Sequence, residues 1–339
     1  MPAEWPIAAP PSGERPNRAA DAAAGNGRRL QAIVQDLFLA PNTRLTEQER
    51  ALMMAMLHGL TERIAVELRA RLSEQDAAGC EAAPGELVGD LTRAGLLQNE
   101  NLVALLLRRA DVQRLASSGR GGRTTLQRWT ASSDADVAAA AMAVITARGR
   151  GRDRFGRALL DLSDLPASLA SDLVHAVAAA LGLRCSEPND AGIAEAIGKL
   201  LASRAETSSP EELEVALVEA LGSEQRRAPG LLVALAEEGE APILSAILAA
   251  EAGIPADEAW TFLLGGPERL AMLLRLASVE RAQVASLLAA AGPALGIGDP
   301  IRAIEAFDAL TAEEVEAART ELALPAAYRH ARRIIARHG

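Results

Sequence analysis

The stretch TEQERALMMAMLHGLTERIAVELRARLSEQ, residues 46–75, decides the fold class. Leu52, Met56, Leu60, Ile64, Leu68 and Leu72 recur every four residues, a helical and not a strand-like spacing. Four residues turn a helix by about 400°, so the row drifts by about 40° at each step. A helix carrying it must bury different sides at its two ends or bend near Gly59. Its start is written in Thr46 and Glu49, where the hydroxyl and carboxylate can each accept from the other's backbone N–H.

The same grammar recurs outward from this segment. Ser209 with Glu212 and Thr311 with Glu314 form the same capping pair, and Pro210 takes the favoured first helical position. Further starts are expected at Pro84, Ser133, Pro166, Pro255 and Pro325. Leu169, Leu173, Val177 and Leu181 form one apolar stripe; Leu270, Leu273, Leu274 and Ala277 form another. About eighteen helical segments follow, separated by short Gly, Pro, Asn or Asp breaks, with no strand-like alternation. Composition agrees: 49% of the 339 residues are hydrophobic but only 2% aromatic, so Leu and Ala carry the core. APGELV (83–88) and APGLLV (228–233) are a faint internal echo.

The expected fold is all-α, a right-handed stack of antiparallel helix pairs forming a HEAT-like α-solenoid. Residues 1–27, rich in Pro, Gly and Ala, read as a disordered leader without the pattern of a signal peptide. LRCSEPNDAG (183–192) divides the folded part into a helical domain at 28–182 and a second at 190–337. No apolar run approaches the roughly 20 residues that cross a bilayer, and the expectation is a cytoplasmic protein without membrane contact.

The order of several segments carries a resemblance to a family. LTEQERALMMAMLHGL, VELRARLSE, APGELVGDLTR, NENLVALLLRR and DLPASLASDLVHAVAAAL in the first half are similar to the bacterial domain-of-unknown-function family 2336. RLAMLLRLASVERAQVASLLAA, IRAIEAFDALTAEEVEAA and PAAYRHAR continue it in the second half. The resemblance implies a HEAT-like helical architecture and brings no activity, cofactor or catalytic residue. The helix after Leu165-Pro166 departs from it: His175 and Ala176 stand where the family carries tryptophans.

Charge is polarised along a chain of net charge −10. Between 108 and 157 eleven arginines face four aspartates; between 201 and 268 three arginines face thirteen acids. Arg108, Arg109, Arg123, Arg128, Arg148, Arg150, Arg152, Arg154 and Arg157 are the candidate contacts for an anionic partner, and Trp129 beside Arg128 is the one aromatic placed to stack. The bland alternatives are a solvated interhelix loop or pairing with the acidic half. Arg148 and Arg152 followed by DLSDLP (161–166) resemble a PilZ cyclic-dinucleotide motif, but that motif sits on a β-barrel and needs a glycine where this chain has Pro166. SSGRGGRTT (117–125) lacks the lysine of a phosphate loop.

Other chemistry is thin. Cys80 and Cys185 have no metal or redox spacing and no evident partner. His58, His175, His330 and His338 show no metal spacing, and the arginines around the last two suit a helix C-terminus. No nucleophile motif occurs. Trp260 and Phe262 are a candidate exposed anchor for a partner, against core packing as the plainer alternative. No cofactor or metal is expected. The leading expectation is a non-enzymatic helical-repeat adaptor or regulatory protein that binds another protein. The alternatives are nucleic-acid or anionic-ligand binding through 108–157, and an enzyme whose site is assembled between helices.

Overall fold

Local signals set the helix starts. The computed structural model describes residues 33, 45–78, 80, 85–120, 122, 124–187, 189–205 and 207–338. Thr46, Ser209 and Thr311 each accept from the backbone three residues on, and the glutamate there accepts from the cap's own N–H. Helices α1 (Glu47–Arg69), α9 (Pro210–Ala220) and α17 (Ala312–Leu322) begin at these boxes. Pro166 and Pro255 cap α7 (Ala167–Gly182) and α13 (Ala256–Leu263). The start expected at Ser133 falls one residue later, because the Asp134 carboxylate accepts from both Asp136 and Val137 N–H to open α6 (Ala135–Arg150). The expected leader, 1–27, and Pro84 lie outside the described residues.

The remaining helices are α2 (Glu74–Ala78), α3 (Glu86–Arg93), α4 (Glu100–Ser118), α5 (Thr125–Trp129), α8 (Asp190–Ala205), α10 (Gly222–Arg226), α11 (Leu231–Glu237), α12 (Ala241–Ala252), α14 (Pro267–Leu276), α15 (Arg281–Ala291), α16 (Pro300–Ala309) and α18 (Ala326–His338). A 3₁₀ turn spans Leu162–Asp164. The described residues thus hold eighteen α-helices and no strand, only two isolated bridges. The APG echo has a structural counterpart. Gly85 (φ 83°) and Gly230 (φ 78°) both take the left-handed conformation that glycine tolerates, and each starts a helix, α3 and α11.

In α1 the buried set runs from Met53, Met56 and Leu57 to Ile64, Ala65 and Leu68. Its centre rotates round the helix by roughly 70° at 100° per residue. That is less than the four-residue row alone implies, since Leu52 is only half-buried and Leu72 lies beyond the helix end. Four helices, α3, α4, α7 and α8, share the rotating face.

Buried side chains fall into two clusters whose membership interleaves along the chain. The first takes α1, α3, the first half of α4, α7 and α8. The second takes Leu115 at the end of α4, then α5, α6, α9 and α11 through α17. Helix α12 is the centre of the second: every residue of Ala241–Ala249 is buried, as expected of a helix apolar on every side. Helix α4 belongs to both clusters. The connection at 183–189 joins α7 and α8, which pack on one another inside the first cluster.

The two cysteines, expected to lack a partner, are bonded. A disulfide joins Cys80 to Cys185 across 105 residues. The chain between them folds so that α7 packs on α3, and the Arg184 guanidinium bonds the Asp90 carboxylate at 2.7 Å. Asn189 Nδ2 donates to Asp76 at 3.2 Å on the same side. Tertiary packing, invisible in cysteine spacing, makes the pair.

Candidate functional site

Consecutive arginines on a helix and two glutamates one turn apart on another build the charged centre. Helix α4 carries Arg108 and Arg109; α9 carries Glu211 and Glu214; α6 ends near Arg148; Glu240 stands at the start of α12. Arg148 bonds Glu240 at 2.5 Å and Glu214 at 3.0 Å. Arg109 bonds Glu211 at 2.9 Å and lies 3.4 Å from Asp164. Arg108 lies 3.2 Å from Glu211 and 4.0 Å from Glu214. The cluster therefore ties α4, α6, α9, the start of α12 and the 3₁₀ turn together where the two cores meet.

Its electrostatics follow from burial. Glu214 is only 4% exposed. Burial raises its carboxyl above the ordinary value; Arg148 opposes, Glu211 adds to the rise, and Arg108 again opposes. Burial likewise raises Asp164, against the pull of Arg109. Burial disfavours the charge on Arg148, but Glu214 and Glu240 more than offset it, so the guanidinium stays protonated. Arg109 is held charged in the same way, Glu211 and Asp164 outweighing its burial. Three guanidiniums face four carboxylates here, and guanidinium does not deprotonate in proteins. The surplus negative charge is accordingly what burial penalises, at Glu214 and at Asp164.

A cleft of about 640 Å³ opens beside this cluster, between the two cores. Leu105, Leu165, Trp260 and Phe262 supply apolar wall, and Arg108 and Arg329 supply charge. The charges are held in place. The Arg108 guanidinium sits 4.6 Å from the Trp260 ring centroid, within cation–π range. Arg329 bonds Glu258 at 2.7 Å and donates from Nε to the Leu324 carbonyl at 3.0 Å. Arg329 lies in the first turn of α18, so it serves as a tie to α13 and not as a complement to the helix C-terminus, the role expected of that cluster.

Trp260 and Phe262 do not form an exposed anchor: they are 7% and 4% exposed. Helix α13 turns both into the second core, as apolar neighbours Ala259 and Leu263 require.

The nine candidate arginines do not form one strip. Arg108, Arg109 and Arg148 point into the ion cluster, and Arg128 bonds Glu238 at 3.0 Å. Arg120, between them in sequence, bonds Glu237 at 2.9 Å. Arg123 lies outside the described residues. Arg150 at the end of α6 and Arg152, Arg154 and Arg157 on the turn that follows are exposed. Pairing with the acidic half thus accounts for Arg108, Arg109, Arg120, Arg128 and Arg148, while Arg114 pairs with Asp111 on its own helix. The acids that take them up, Glu211, Glu214 and Glu238, are visible in the sequence only as an acidic segment, since nothing in their spacing names α4 or α6 as their partner. His175 is exposed with Nδ1 2.7 Å from the Ser171 carbonyl. Among the described residues no group of three or more His, Cys, Asp or Glu side chains is placed to hold a metal ion, and no helix is long and apolar enough to cross a membrane.

Residues 91–323 match the model of a family described as "Uncharacterised protein conserved in bacteria (DUF2336)". No curated protein and no solved structure matches the chain.

Proposed function

The chain belongs to this bacterial family, and we propose that it is a non-enzymatic binding module that holds a segment of a partner protein in the cleft between its two cores. The cleft is the observation that carries this reading. Its volume suits several side chains, and Arg108 and Arg329 on its wall are already fixed in ion pairs. A preformed wall of that kind orders little on binding, which favours recognition of a flexible segment.

The architecture that goes with this reading is a HEAT-like stack of helix pairs. Support comes from packing between successive helices, α5 with α6, α7 with α8, α12 with α13 and α15 with α16, and from the matched glycine entries to α3 and α11. Stacked pairs present long concave surfaces suited to partner segments. The Cys80–Cys185 bridge favours an oxidising compartment over the cytoplasm expected from the sequence, because disulfides persist where thiols are not kept reduced.

A photo-cross-linking side chain in place of Ala104, on the cleft wall, tests the proposal, with Met142, exposed on α6, as the control position. A discrete protein adduct is expected at 104 and not at 142. A peptide from the cross-linked region should then bind the purified chain, and Ala104→Trp should block it. Identical adducts at both positions, or turnover of a metabolite by the purified chain at an enzyme-like rate, would overturn it.

A further inference from the structure

The turn after α6 is built, not slack. Asp153 Oδ1 accepts from the N–H groups of Phe155 and Arg157, both at 2.8 Å. Asp153 N–H donates to the Arg157 carbonyl and Gly156 N–H to the Asp153 carbonyl, each at 2.9 Å. Gly156 takes φ 77°, which glycine alone adopts without strain. Arg152 and Ala158 form a bridge, and Ala158 N–H donates to Gln113 Oε1 at 2.6 Å, anchoring the turn to α4. This frame holds Phe155 in water, 67% exposed, whereas Phe262 and Phe307 are buried.

Charge on the same turn is unspent. The other arginines with described side chains each meet a carboxylate, a carbonyl oxygen or another group of the protein. Arg150, Arg152, Arg154 and Arg157 meet no carboxylate among the described residues. Only the Phe155 ring engages two of them, with the Arg154 and Arg157 guanidinium carbons 4.7 and 5.6 Å from its centroid.

We infer that the end of α6 and this turn, residues 150–157, form a second docking surface, which receives a short acidic segment of a partner protein. Guanidinium forks match carboxylates bidentately, and an aromatic ring flanked by arginine is the composition that dominates protein interface energetics. A protein segment fits better than a nucleic acid or an anionic bilayer because the basic surface is small. The arginines that would extend it are consumed in ion pairs, and Glu238 lines the same small cavity as Arg152. A long polyanion would also meet the repulsion of a chain whose net charge is −10. The turn shares no lining residue with the cleft, so the inference does not rest on the function proposed there.

The test is fluorescence anisotropy of a labelled twelve-residue peptide of Asp, Glu and two Leu, titrated with the full chain. A single-stranded oligonucleotide of equal charge and phosphatidylserine vesicles are the competing probes. The peptide should bind most tightly. Changing Arg150, Arg152, Arg154 and Arg157 together to Glu should weaken it by more than about tenfold, and Phe155→Ala by about fivefold or more, the loss typical of a contact at an interface centre. Both variants should keep the melting temperature of the parent, since none of these side chains bonds another part of the fold among the described residues. Ala104→Trp should leave peptide binding intact even if the cleft reading fails. Peptide affinity unchanged by charge reversal, or tighter binding to the oligonucleotide or the vesicles, would overturn the inference.

Discussion

Arg148 shows how one residue in a conspicuous basic run can serve the interior. Its Nη1 and Nη2 hold Glu240 and Glu214, which ties most of the half-buried guanidinium to the interior. Replacing it with Met leaves Glu214 buried and without its strongest counter-charge. Truncating one partner of a buried pair typically costs about 3–5 kcal/mol, and Arg148→Met should lose that much near neutral pH in urea unfolding. The loss should depend on pH. The Glu214 carboxyl sits above its ordinary 4.5 in the folded chain, so the native state holds more protons there than the unfolded one. Its contribution to stability is therefore full below 4.5 and falls as pH rises through the raised value. Removing Arg148 lifts that value further, so the deficit should be smaller at pH 5 than at pH 8. Adding Glu214→Gln should flatten the difference. Equal deficits at both pH values would show that packing, not charge, is what Arg148 supplies.

At the scale of elements, two glycines and a disulfide do what helix propensity cannot. The end of α4 crosses the α11–α12 connection at Gly119 and Gly239. A Cβ on Gly119 would lie 2.3 Å from the Glu238 carbonyl oxygen, and one on Gly239 would lie 2.7 Å from that of Leu115. The Arg120 N–H donates to the Glu237 carbonyl at 2.7 Å in the same crossing. Gly239 is also left-handed, φ 73°. Gly239→Ala should thus destabilise by more than the roughly 1 kcal/mol of an ordinary glycine change, read as a lowered denaturation midpoint. Gly222→Ala, also left-handed but in open space, should cost only the conformational strain. The Cys80–Cys185 bridge closes 105 residues, and removing a native bridge costs about 2–5 kcal/mol. Reductant should lower the melting temperature of the parent but not of the Cys80→Ser, Cys185→Ser variant. Free thiols detected in the unreduced, unfolded chain would contradict the bridge. The Phe155 turn was legible in part. Asp153 followed by Gly156 is a turn signal, but the arginine density around it draws attention to charge and away from backbone geometry.

Across the whole molecule, the interleaved cores bear on how the chain unfolds. Helix α4 gives Leu102, Val103, Leu106 and Ala110 to the first core and Leu115 to the second. The ion cluster and the glycine crossing lie along the same helix. Melting either core therefore exposes the buried charges of the other. Urea unfolding of a Trp5→Phe chain, followed by far-ultraviolet circular dichroism and by the fluorescence of Trp129 and Trp260, both packed with the second core, should give coincident transitions. Two separated transitions would support independent units such as those expected at 28–182 and 190–337.

What the sequence determined by itself was local. The four-residue apolar row, the three capping boxes and the prolines dictate where helices begin, because a cap is satisfied within three residues of itself. The scarcity of aromatic and β-branched residues disfavours strands, and the described residues hold none. Tertiary structure alone decided which charges are spent and which remain. Arg109 and Arg157 are indistinguishable in a basic run, yet one lies against Glu211, 102 residues away, and the other faces water. Cys80 found Cys185 for the same reason. Pairing between distant groups depends on how whole helices pack, and no spacing along the chain encodes that distance. The cleft, walled by residues from Asn101 to Arg329, exists only once both cores are formed.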